Sequence, residues 1–233
     1  MAKKREFGEG PIYTISNYVM WFFLGNIYFI ICIFPFLFVL LSFSQEFISE
    51  YLFLLTLSAV PIGPAYTALL SVMGKLVRDK DVNITRDYFS AYKKNFLQSL
   101  FLWTLGLIVL IILIVDMRFF AVRTVGKIII PLIYAVMALI ILAGLYVFTL
   151  VSRFYLRSID IIKTAFYFIV SKWKVTISCV SVIIIAGAIS SRFISIASLF
   201  MFSLACYAIM FFQKELLKEL EDKLAEKQES NSL

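Results

Sequence analysis

Residues 175–212 read VTISCVSVIIIAGAISSRFISIASLFMFSLACYAIMFF, a run of apolar residues that only Ser190-Ser191-Arg192 interrupts. At a rise of 1.5 Å per residue a single helix over this run would be about 57 Å long. That is nearly twice the ~30 Å hydrocarbon thickness of a bilayer. Two crossings joined by a tight hairpin at Ser190–Arg192 fit the run, and this reading decides the fold. It brings the number of spans to six and places both chain ends on one side.

The rest of the chain agrees with that reading. Of its 233 residues, 62% are hydrophobic and 16% charged, against roughly 25% charged in soluble domains. Four earlier runs are each long enough to cross: about Val19 to Phe43, Tyr51 to Met73, Leu97 to Val115 and Ile128 to Val151. The expected fold class is an all-α, polytopic transmembrane bundle of about six spans. Residues 1–212 form the membrane domain and residues 213–233 a polar helical tail. The basic start is not followed by a short hydrophobic stretch with a cleavage site, so the first run is expected to remain as a span.

Charge sets the orientation. All but four of the 22 Lys and Arg fall at the amino end (Lys3, Lys4, Arg5), in the second-to-third and fourth-to-fifth connections, or in the tail. The exceptions are Arg118, Arg123, Lys127 and Arg192. The positive-inside rule therefore predicts cytoplasmic termini. The same skew accounts for the net charge of +7: basic residues interleaved with acids along membrane flanks suit lipid headgroups and not nucleic acid.

The second span carries Pro61-Ile-Gly-Pro-Ala-Tyr-Thr-Ala-Leu-Leu70. Each proline removes one helix hydrogen bond, and in hydrocarbon the released carbonyl must find another partner. A break is expected at Pro61, Gly63 and Pro64. It would serve either as a packing kink or as the unwound lining of a solute path, like the discontinuous helices of some transporters.

Several chemistries lack their residues. Without histidine there is no His-Glu-x-x-His zinc site and no Ser-His or Cys-His pair, and no phosphate-binding Gly-rich loop or cofactor signature is present. Ser71 and Lys75 stand four apart, a spacing common on any helix. Cys32, Cys179 and Cys206 share no metal or redox spacing and are expected to be small buried side chains. Every acid and base lies at or beyond a span end, with Glu50 and Asp116 nearest the interior, which disfavours an ion-coupled carrier. No catalysis, cofactor or metal is expected.

Two cytoplasmic connections carry apolar stripes at helical spacing. Phe89, Tyr92 and Phe96 form one, with Lys93 and Lys94 off it; Ile159, Ile162, Phe166, Ile169 and Trp173 form the other. Each predicts an amphipathic helix at the inner leaflet, either anchored in lipid or offered to a partner protein. The tail, with Leu217, Leu220 and Leu224, predicts a helical extension of the sixth span.

Gly25-Asn26 followed by Ile27 to Pro35, then Gly63-Pro-Ala-Tyr-Thr-Ala-Leu-Leu70, then Arg86 to Leu100, and then Ser152-Arg-Phe-Tyr-Leu156 leading into the 159–173 helix together resemble the YesL family of bacterial membrane proteins, in family order. Unlike many relatives, this chain has 25 residues, Phe36 to Val60, between the first proline and the Gly-Pro-Ala segment. Family members are often encoded beside binding-protein-dependent sugar importers. The resemblance implies an accessory or regulatory component of a carbohydrate ABC importer in the bacterial cell membrane, with its permease or ATPase subunits as partners. It supplies no residue with a known role. The alternative is a stand-alone small-solute permease or channel built on the broken second span.

Overall fold

The computed structural model describes residues 11–43, 52–123 and 125–231. Lys3, Lys4, Arg5 and Glu50 lie outside the described residues. The described residues form nine helices and no strand: α1 Pro11–Cys32, α2 Phe34–Ser42, α3 Leu52–Ala59, α4 Ile62–Asp79, α5 Ile84–Ala121, α6 Gly126–Arg153, α7 Ser158–Ser171, α8 Trp173–Arg192 and α9 Ile194–Asn231. Six segments are long and apolar enough to cross a membrane, with α3 and α4 counted as one. This is a multi-pass membrane protein.

The 175–212 run does turn back on itself. Phe193 alone is non-helical between α8 and α9, and the two helices pack against each other. The first run differs from expectation, because the segment from Val19 to Phe43 is two helices that meet at Ile33. Pro35, at the start of α2, has no N–H to continue the α1 ladder, and Ile33 O instead takes the N–H groups of Phe36 and Leu37 at 3.0 and 3.1 Å.

Helix α4 is the centre of the bundle and packs against α1, α5, α6 and α9. Lipid tails are as apolar as leucine, so burial alone does not drive such packing; close backbone approach and interhelical hydrogen bonds do. The sequence of α4 supplies the close approach with Ala65 and Ala68, both fully buried, and with two glycines. A Cβ on Gly74 would stand 2.3 Å from Met210 Cε, and one on Gly63 would stand 2.4 Å from Trp103 Cβ. The hydrogen bonds are spread around it: Tyr146 to Thr176 at 2.7 Å, Tyr28 to Thr85 at 2.8 Å, and Asn26 Oδ1 accepting from the Phe202 and Ser203 N–H groups of α9. Bonds of this kind average ~0.6 kcal/mol each in membrane proteins.

The expected separate amphipathic helix before the third span is corrected by the structure. Residues 88–96 belong to α5, one uninterrupted 38-residue helix. Asn83 starts it by accepting the Arg86 N–H at 3.2 Å, while Asp87 accepts the Asn83 N–H at 3.1 Å. Such reciprocal capping fixes a start, and no proline follows to force a stop. Helix α9 runs through Phe212 and Gln213 into the tail without a break, with Gln213, Leu216 and Leu217 buried. Lys172–Glu219 at 2.7 Å and an Arg153–Glu221 pair tie it to the other helices.

Candidate functional site

The break in the second span is two residues long. Helix α3 ends at Ala59 and α4 begins at Ile62, so Pro61 and Gly63-Pro64 occupy the junction and the first turn of the new helix. Proline costs nothing at a helix start, where the N–H would have no partner anyway. Pro61 cannot serve the carbonyl of Leu57, which accepts from Val60 N at 3.3 Å instead. The freed Ala59 carbonyl accepts the indole N–H of Trp103 at 2.8 Å. Gly63 lets the ring come close enough to make that bond, and Thr67 Oγ1 donates to Gly63 O at 2.9 Å. The junction is thus filled by an aromatic side chain from α5 that caps its open carbonyl.

The two apolar stripes have different environments. The Phe89 ring lies 5.2 Å from that of Tyr28 of α1, tilted at 53°, and Tyr92 lies 5.5 Å from Phe96. The buried face of α5 here is Tyr88, Ala91, Asn95, Ser99 and Leu102, adjacent to the expected one. In α7 the packed residues are Ile161, Ala165 and Phe168. Of the stripe named from the sequence, Ile162 and Ile169 are half-buried, whereas Ile159 and Phe166 are exposed along with Val170. Trp173 is not on α7 at all; it opens α8 and is exposed. The periodicity was ambiguous because α7 is apolar on two sides, and residues at 161, 165 and 168 satisfy helical spacing as well as those at 159, 162, 166 and 169.

Near the connections between α4 and α5 and after α6 lies a polar cavity of about 170 Å³ that the sequence did not reveal. Ser71 and Lys75 from α4, Asp87, Ser90, Lys94 and Asn95 from α5, and Ser152 and Arg153 from α6 line it. Lys75 Nζ is 2.8 Å from Asp87 Oδ2, so its ammonium is paired to a carboxylate across the helix hairpin and is not directed at the Ser71 hydroxyl as a base would be. Arg153 donates to Glu221 of α9. These residues are far apart in sequence, and only the antiparallel packing of α4, α5 and α6 collects them.

A second cavity of about 430 Å³ is almost wholly apolar, formed by Leu102, Trp103 and Gly106 of α5, Gly144 and Phe148 of α6, and Phe166 of α7. Tyr66 and Trp103 are its only lining side chains with a polar group, and the Trp103 indole N–H is already bonded to Ala59 O.

No curated protein and no solved structure matches this chain. Residues 13–117, from α1 through most of α5, match the model of a family described as proteins of unknown function, DUF624.

Proposed function

We propose that this protein is an accessory or regulatory component of the bacterial cytoplasmic membrane that docks on a carbohydrate ABC importer, without catalysis of its own. The observation that carries the docking is the outward face of α7 and the start of α8, where Ile159, Val170 and Trp173 are 67, 78 and 57% exposed. The positive-inside reading of the charge bias makes this face cytoplasmic in this proposal, the side where an importer's ATPase and the inner ends of its permease are accessible. The importer and its sugar cargo rest on the resemblance of the Gly63–Leu70, Arg86–Leu100 and Ser152–Trp173 stretches to the YesL family. The capped junction at Ala59 and Trp103 weighs against the alternative of a solute path through the second span, since the Trp103 ring fills the break and one of its open carbonyls is already bonded.

The test is affinity purification of the tagged protein from its native membrane in mild detergent. Stoichiometric recovery of permease or ATPase subunits, lost on Ile159→Asp with Trp173→Asp, is expected. Recovery of the protein alone, together with sugar uptake into vesicles that hold only this chain, would replace the accessory reading with a permease.

A further inference from the structure

We infer that the polar cavity between α4, α5 and α6 is a binding site for a phosphate group. Its lining carries three cations, Lys75, Lys94 and Arg153, against one carboxylate, Asp87. Lys75 and Asp87 neutralise each other at 2.8 Å, and Glu221 takes one side of Arg153 from outside the cavity. Lys94 has no ion pair among the described residues and gives the cavity its surplus positive charge.

The neutral groups point the same way. Asn95 is 9% exposed, yet its side-chain amide bonds to no described residue, and neither amide atom is sealed off. The amide therefore opens onto the cavity that Asn95 lines. An amide held on the cavity wall with no partner among the described residues has its N–H and carbonyl free for a bound ligand. The hydroxyls of Ser71 and Ser90 are also without partners among the described residues. An ammonium, an amide N–H and two hydroxyls, with the remaining guanidinium donors of Arg153, form a donor-rich shell. A guanidinium offers five N–H groups in a fork that matches phosphate oxygens. A phosphate accepts from all of these groups, whereas a neutral sugar would leave the surplus charge unanswered.

The phosphate could belong to a lipid headgroup, reached at the membrane rim, or to a soluble phosphorylated compound. The test separates the sources. The protein is reconstituted in phosphatidylcholine nanodiscs and titrated calorimetrically with inorganic phosphate and with glycerol 3-phosphate. In parallel, native mass spectrometry counts phosphatidylglycerol retained from mixed nanodiscs. One bound phosphate-bearing ligand per chain is expected in at least one arm, weakened tenfold or more by Lys94→Gln and by Asn95→Asp. Glu221→Gln, which frees Arg153 from α9, should not weaken it. Binding in the soluble arm identifies a free phosphate compound, and retention in the lipid arm identifies a headgroup. No bound phosphate in either arm, or equal binding by the wild type and Lys94→Gln, would overturn the assignment; Lys94 is an exposed side chain whose exchange leaves the fold intact.

Discussion

The indole nitrogen of Trp103 sits 2.8 Å from the carbonyl oxygen of Ala59, bridging the third span to the broken second one across 44 residues of sequence. This bond satisfies the last carbonyl of α3, left open where the helix ladder is interrupted. Trp103→Phe keeps most of the ring and removes the donor, so it should cost about 1–3 kcal/mol, the penalty for an unsatisfied buried carbonyl. Thermal unfolding in detergent measures this, and a melting curve equal to that of the wild type would mean that the carbonyl has a second partner.

Two glycines on facing helices should respond oppositely to the same change. Gly63→Ala puts a methyl 2.4 Å from Trp103 Cβ and must move a helix, at a cost of about 1–3 kcal/mol. Gly106→Ala meets nothing within 4 Å and should be neutral or stabilise by up to ~1 kcal/mol through its effect on helix entropy. Equal effects of the two would remove the close α4–α5 approach as the reason for Gly63.

The extension of α9 is held by packing more than by charge. Leu217 is buried and Leu217→Ala should destabilise by roughly 2–5 kcal/mol. Glu219 pairs with Lys172 at 2.7 Å and with Lys223 at 2.9 Å on the surface, and Glu219→Gln should cost far less than the leucine change, because water and salt screen exposed pairs. Hydrogen exchange along residues 213–226 discriminates: the leucine variant exchanges fast at any salt, whereas the glutamate variant resembles the wild type in high salt.

Lys80 is the one described non-glycine residue in the left-handed region, at φ 56°, where it ends α4 with its N–H on Leu76 O at 3.1 Å. Lys80→Gly removes a strain of roughly 1–2 kcal/mol and should raise the melting temperature. A lowered one would show that the lysine side chain contributes more than its backbone costs.

Orientation has its own test. In a variant without the three native cysteines, a cysteine at Val122 should react with a membrane-impermeant maleimide added outside intact cells, and one at Asp81 only after lysis. The reverse pattern would invert the topology that the charge bias predicts.

The span number was readable because hydrophobic run length is a local quantity, and Ser190-Ser191-Arg192 marked the hairpin at Phe193 directly. The break at Pro61 was readable for the same reason. Its meaning was not, since the partner of the Ala59 carbonyl lies on another helix. The polar onset before Leu97 resembled a boundary between an interfacial helix and a span, but polarity does not end a helix; only caps and breakers do, and α5 has neither between Asp87 and Leu97. The cavity of Ser71, Lys75, Asp87, Asn95 and Arg153 left no local trace, because its members are ordinary flanking residues until the helices fold together.

Helix α5 has one further property, which follows from its length. At 38 residues it is a rod of about 57 Å, with Asp87, Lys94 and Asn95 toward one end and Trp103 about 12–24 Å further along. A stiff rod with no hinge between two such points does not absorb a load applied at the first; it tilts and delivers it to the second. Whatever pulls on the charged end of α5 therefore bears on the joint at Ala59, and the break in the second span is mechanically in series with the polar cavity.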